Sequence, residues 1–250
     1  MPVLIIALIL LLIFGSRLLP GLGSSLGRKA RKPYRQARWL WQSTTGTEED
    51  SIRAEREYGR ECAREFLGQF PAKVPPGEQQ LVSAIGSRLA RAAEDPRLEF
   101  RCTVIASEVP NAYALPGGFV FITRGLLGVT GGDRDTVAFF LGHEVAHVTC
   151  GHAKERFAAQ TLLGAVSGRM TGAGVLLRQL LDKGYSRALE QEADREAVRL
   201  MRAAGFDARA SIRALERLGR TGRDTRGLAE YFSTHPSFAD RISDLENLAG

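Results

Sequence analysis

The sequence predicts a mainly α-helical domain with a small β-sheet, an α+β fold, preceded by a short apolar arm. Three observations predict it. Apolar residues recur at helical spacing in most segments after residue 47. Residues 100–106 and 119–123 instead have strand character, and both come before an apolar helix starting near residue 136. The length of 250 residues, with 44% hydrophobic and 25% charged side chains, suits one well-buried domain with additions.

The arm comes first. Residues 2–14 carry no charge. Thirteen helical residues span roughly 20 Å, short of a hydrocarbon core of ~30 Å. A signal-peptide core fits poorly, because no positive segment precedes it and no small-x-small cleavage site follows. The basic run behind it argues against a buried core helix. After the Phe14-Gly15 break, Leu18, Leu19, Leu22 and Leu26 recur at helical spacing, with Pro20 in the first turn. Arg28, Lys29, Arg31 and Lys32 follow, and Tyr34, Trp39 and Trp41 suit the headgroup level. Residues 1–16 therefore read as a short membrane helix, 17–47 as a basic amphipathic juxtamembrane segment and linker, and 48–250 as the folded domain. Residues 4–32 resemble the small subunits of the twin-arginine translocase, which join a short membrane helix, a Phe-Gly hinge and a Leu-Pro to a basic amphipathic helix.

Charge supports this division. Seven of the 34 basic residues and none of the 28 acidic ones precede Glu48, so a chain of +6 overall has a domain of net −1. A nucleic-acid binder would carry its basic patch on the folded domain. Membrane lipid is the better partner for the arm. Basic residues beside a span stay cytoplasmic, which predicts a single-pass protein of a bacterial-type inner membrane with its domain in the cytoplasm. An uncleaved or cleaved signal sequence with a periplasmic domain is the alternative.

The remaining elements follow in order. Residues 48–70 read as a helix with acidic residues in its first turn. Pro71, Pro75, Pro76 and Gly77 make a loop. Residues 78–94 form a second helix, with Leu81, Ile85, Leu89 and Ala92 on one face. The two strands come next, the second after the Pro116-Gly117-Gly118 turn. Helices follow at about 136–149, 185–204, 208–218 and 239–248, with Gly205 as a stop signal. A Gly-rich stretch intervenes, and residues 162–181 read as a mobile lid because Arg169 and Arg178 interrupt their apolar run.

The helix at 136–149 contains His143-Glu144-Val145-Ala146-His147, an HExxH pattern. Residues four apart lie on one face, so both imidazoles reach one ion at about 2.0–2.1 Å. Glu144 projects beside them as a general base. Three of the four histidines, His143, His147 and His152, lie within ten residues, and the fourth is His235. A catalytic zinc takes a third protein ligand and leaves its fourth position open. A third histidine in metzincin spacing would need Gly and His where Cys150 and Ala153 stand. His152, about 140° further round a continuous helix, reads as structural. A downstream carboxylate remains, from Glu190, Glu192 and Asp194. Glu190 and Asp194 share a face and Glu192 does not. This arrangement suits Glu190 as ligand with Asp194 as the carboxylate that orients a ligating histidine. The cysteines Cys62, Cys102 and Cys150 are odd in number and widely spaced. They form neither a disulfide framework nor a CxxC site, and read as small buried apolar residues.

HEVAHVTCGH, SRALEQEAD, STHPSFADRI and the 111–126 segment NAYALPGGFVFITRGL together resemble the membrane-associated gluzincin family of HtpX-like and prenyl-protein-type endopeptidases, peptidase family M48. The resemblance covers roughly residues 48–248. It implies a gluzincin zinc-peptidase fold, one Zn2+ per chain on His143, His147 and Glu190, Glu144 as base and Asp194 in support. It also implies that Asn111, Ala112, Tyr113, Ala114, Gly117 and Gly118 belong to an edge strand where an extended polypeptide substrate adds its backbone. A His at the place of His235 approaches the metal in that family, where it steadies the oxyanion or reversibly occupies the open position. A structural loop histidine is the plainer reading. The chain departs from HtpX-like members in lacking several long membrane helices.

The expected function is therefore zinc-dependent hydrolysis of peptide bonds, in membrane-associated protein quality control or processing. The alternatives are a chaperone-like holdase and a translocase-associated binding protein on a peptidase fold. An intact Glu144 weighs against both, since binding alone has no need of a base.

Overall fold

The computed structural model describes residues 47–71, 73–95, 98–166, 184–220, 231, 233–235 and 238–249. The expected membrane helix, nearly all of the basic segment and most of the expected lid lie outside the described residues. Among the described residues, no helix is long and apolar enough to cross a membrane.

Helix α1, Glu48–Leu67, starts where the Thr47 side chain accepts a hydrogen bond from the Asp50 amide, with Glu48, Glu49 and Asp50 in its first turn. Its inward face repeats every three to four residues: Ala54, Tyr58, Cys62 and Phe66 are buried. Phe66 stands edge-on to Tyr113 and Phe121, with ring centroids 5.2 and 4.8 Å away. That contact joins α1 to one face of the sheet.

Helix α2, Pro76–Ala92, begins two residues earlier than expected, because proline's fixed φ suits the first helical turn. Val82, Ile85, Leu89 and Ala92 are its buried apolar side chains, while Leu81 is only partly covered. Three strands follow: β1, Arg101–Ile105; β2, Ala112–Leu115; and β3, Phe119–Thr123. Their order is β1-β3-β2, with β1 parallel and β2 antiparallel to β3. Gly117 and Gly118, at φ +78° and +86°, make the tight turn between β2 and β3 that only glycine adopts without strain.

The two edges of the sheet differ. On the β1 side, the Gln79 amide donates to the Cys102 carbonyl (3.0 Å) and accepts from the Val104 amide (2.9 Å). It thus stands in for a neighbouring strand at that point. On the other side, β2 is the edge strand that the family resemblance implies, and it packs on the helix with the HExxH pattern.

That helix is α4, Arg134–Thr149, reached through the short α3, Arg124–Thr130. Asp133 caps α4 through its carboxylate, and every residue from Thr136 to Val148 is buried. A helix apolar on all sides belongs at the centre of a fold. α4 packs against α2, β2, α6 (Arg187–Ala203) and α7 (Ala210–Arg220), while α8 (Phe238–Ala249) packs on α6 and α7. α5, His152–Val166, has no counterpart in the sequence reading. Gly151, at φ +80°, ends α4 and lets the chain turn into it.

Candidate metal centre

The helical spacing of α4 sets His143 and His147 side by side, with their Nε2 atoms 3.1 Å apart. α6 crosses α4 and brings Glu190 opposite the pair. Its Oε2 lies 3.4 Å from His143 Nε2 and its Oε1 lies 3.4 Å from His147 Nε2. A tetrahedral ion with bonds of ~2.0–2.1 Å has ligand–ligand edges of about 3.3–3.4 Å. The two Nε2 atoms and the two Glu190 oxygens, one facing each imidazole, are spaced close to that edge length, so the residues present fit such an ion. His235 joins them, and one donor atom from each of the four residues lies within 4.8 Å of the others. All four are buried, as is Glu144.

His235 lies between two carboxylates. Its Nδ1 is 3.1 Å from Glu190 Oε1 and its Nε2 is 3.5 Å from Glu144 Oε1. The loop that carries it is tied to the start of α6, where the Tyr185 amide donates to the Thr234 carbonyl. Tyr185 also stacks on His147, ring to ring at 3.8 Å and 14°.

Behind each histidine of the pair stands a second group. Asp194, one turn after Glu190, approaches His143 Nδ1 at 2.9 Å. His152 approaches His147 Nδ1 with its own Nδ1 at 3.0 Å. When Nε2 faces an ion, Nδ1 carries the proton, and both partners are placed to accept it. The expectation that His152 lies round the same helix from His147 is corrected here. Gly151 breaks the helix, and His152 folds back onto His147. Glu192 points away from the site and is exposed, as its register predicts. Cys62 and Cys102 are buried, whereas Cys150 is only half-buried.

Sequence reasoning assigned no role to Arg241 on α8. This fully buried guanidinium donates from Nε to Asp194 Oδ2 (2.7 Å) and from Nη2 to Asp194 Oδ1 (2.8 Å). Its Nη1 lies 2.8 Å from Glu190 Oε2, an ion pair without an aligned N–H. Arg241 supplies the positive charge that lets two carboxylates sit side by side in the interior.

The electrostatics follow from this packing. Burial raises the Glu144 carboxyl above the ordinary range, against the opposing pull of His235 and His143. Burial also works against Glu190 and Asp194 ionising, but their cationic neighbours outweigh it. His235 and His143 hold Glu190 well below the usual value, and Arg241 and His143 bring Asp194 down to about 2. Burial and Arg241 push His143 down, but Glu190 and Asp194 outweigh them and hold it at about 9. Burial keeps His147 well below the usual imidazole value. The site is thus a low-dielectric pocket with two ionised carboxylates, a carboxyl of raised proton affinity and paired imidazoles.

A buried HExxH helix with a carboxylate from a crossing helix beside its two histidines defines a metallopeptidase. The chain belongs to Peptidase family M48, whose profile matches residues 76–249. It is 30% identical over 208 residues to the mitochondrial metalloendopeptidase OMA1 of Schizosaccharomyces pombe, covering 78% of this chain and 61% of that one. It is 27% identical over 224 residues to the beta-barrel assembly-enhancing protease of Yersinia pestis (80% and 44%). It is 35% identical over 167 residues to the mitochondrial metalloendopeptidase OMA1 of Bos taurus (58% and 31%). The chain spans about half the length of the curated relatives it matches.

Proposed function

We propose that this chain is a zinc-dependent endopeptidase in which His143, His147 and Glu190 hold one Zn2+ and Glu144 is the general base. The observation that carries this reading is the set of donor distances of 3.1, 3.4 and 3.4 Å among His143, His147 and Glu190. Zinc, when bound, acidifies water to a pKa of about 7 and polarises a peptide carbonyl.

The protein's own residues do the rest. Glu144 takes a proton from the attacking water and passes it to the leaving nitrogen. Its raised proton affinity suits a group that both accepts and returns a proton near neutral pH. Asp194 and His152 orient His143 and His147, and Arg241 anchors Asp194 and Glu190. His235 occupies the open side of the site in the resting chain, a reading supported by its place between Glu190 and Glu144. Asn111, Ala112, Tyr113 and Ala114, with the turn at Gly117 and Gly118, align an extended polypeptide along the β2 edge.

The site's setting is part of the proposal. Residues 1–16 form a short membrane helix, 17–47 a basic segment on the lipid surface, and 48–250 the peptidase domain on the cytoplasmic side. The relatives' printed names, metalloendopeptidase and assembly-enhancing protease, support a role in protein processing or quality control. Zinc analysis of the dialysed full chain with a casein digestion assay tests the reading. It requires close to one tightly held zinc per chain and chelator-sensitive hydrolysis. A chain that digests casein without zinc would refute it.

A further inference from the structure

Helix α1 lies before residues 76–249, which match the family profile, yet one of its faces holds both neighbours of β2. Ser51, Glu55 and Gly59 follow one another at four-residue spacing on that face. Gly59 meets the turn after β2, where any side chain at 59 would run into the Pro116 carbonyl. A methyl group on Gly117 would come within 3.0 Å of Arg56 Cα. Between these contacts the buried Glu55 accepts a hydrogen bond from the Gly117 amide, through Oε1 at 3.0 Å. Its other oxygen lies 3.8 Å from Lys154 Nζ on α5, which also donates to Ser51 Oγ at 3.1 Å. α5 in turn packs on β2 through Ala153 and Ala114.

β2 needs such a hold. It is four residues long and pairs with β3 on one side only. Its start is fixed by the Asn111 amide, which donates to Thr123 Oγ1 at 2.8 Å. Its end runs into Pro116, Gly117 and Gly118, and the two glycines, at positive φ, give the backbone wide freedom there. We propose that Glu55 is a positioning residue: its bond to the Gly117 amide fixes that turn and so holds β2 in place for an extended polypeptide. Glu55 takes this role only if substrate pairs with the β2 edge, as proposed above. Bonds to a strand edge weaken steeply when their geometry is lost, so a loosened turn lowers the fraction of chains ready to bind. The close approach at Gly59 explains the packing of α1 but gives the carboxylate no part. Pairing with Lys154 is the rival role. The two roles need different things: the turn needs an oxygen that reaches it, and Lys154 needs a charge.

Three variants of the full-length chain separate them. Glu55→Asp keeps the charge and loses the reach. Glu55→Gln keeps the reach and loses the charge. Lys154→Met removes the cation alone. Affinity for a fluorescein-labelled casein peptide is read by anisotropy in a Glu144→Gln background, and kcat in chains that retain Glu144. Glu55→Asp should weaken binding at least about tenfold, the scale of one charge-assisted hydrogen bond, with kcat and zinc content unchanged. Glu55→Gln and Lys154→Met should bind like their parent. Amide hydrogen exchange should quicken at residues 115–119 in Glu55→Asp and stay slow in α4. Unchanged binding by Glu55→Asp, or an equal loss in either other variant, overturns the proposal. So does exchange that quickens in α4 as well, since Glu55 would then serve general stability. A parent that binds no peptide removes the substrate edge and this role with it. A parent that binds the peptide while chains with Glu144 leave it uncut refutes the endopeptidase reading alone, because affinity is read separately.

Discussion

The Asp194 carboxylate holds the Arg241 guanidinium through both oxygens, at 2.7 and 2.8 Å, while its Oδ1 also lies 2.9 Å from His143 Nδ1. One residue thus ties the helix that ends the described chain to the first histidine of the motif. Removing Arg241 leaves two buried carboxylates without their cation. Arg241→Ala should cost about 3–5 kcal/mol of stability, the range for breaking a buried ion pair from one side. The carboxylate of Asp194 is held at about 2, below its ordinary value. Its contribution is therefore complete above pH ~4 and is lost as pH falls towards 2. Urea unfolding of wild type and Asp194→Asn across that window measures it. The stability difference between them should shrink as pH falls, and a constant difference would contradict the assignment.

Glu190 and Glu192 differ by two residues but face opposite ways. Glu190→Gln should therefore weaken the first equivalent of zinc far more than Glu192→Gln does, read by competition with a chelating dye. His143 is held at about 9 in the ion-free chain, so a proton sits on it at neutral pH. Zinc must displace that proton, and affinity should fall as pH falls below 9. Calorimetry in two buffers of different ionisation enthalpy should detect proton release on zinc uptake. A larger loss from Glu192→Gln, or no proton release, would count against the ligand set.

His235 lies between Glu190 and Glu144, on the open side of the group. If it occupies that side at rest, His235→Ala should raise basal casein hydrolysis at unchanged zinc content. A fall of roughly 10²-fold would instead identify it as an oxyanion donor. An unchanged rate would leave it a loop residue.

How much of this was legible in the sequence depends on distance along the chain. The HExxH spacing is local, and one turn of helix converts it into a shared face. Glu190 and Asp194 were readable for the same reason, once a carboxylate ligand was required. Arg241 was not, because it stands 47 residues from Asp194 and its burial becomes visible only when α8 packs on α6. His152 was assigned to the wrong helix, since the reading let α4 run through Gly151. β2 shows no alternation because all four of its residues are buried, so only the family resemblance implied it. α3 and α5 went unread: one is seven residues long, and the other runs into a Gly-rich stretch.

The proposed topology rests on charge. Seven basic residues and no acidic ones precede Glu48, and moving them across an energised membrane is unfavourable. Each contributes about 1 kcal/mol when close to an anionic inner leaflet. Protease added to intact spheroplasts should leave the domain uncut, and an alkaline phosphatase fused at Gly250 should be inactive. Digestion from outside would place the domain in the periplasm.

The central claim is that Glu144 moves the proton while other residues hold the ion. Glu144→Gln keeps the size and polarity of the side chain and removes only its basicity. The measurement is casein hydrolysis and zinc content on the same preparation of this variant. The account predicts zinc retained at the wild-type level, with hydrolysis reduced by about 10²–10⁴-fold. Hydrolysis within about tenfold of wild type would contradict it, because that is less than a positioned general base contributes.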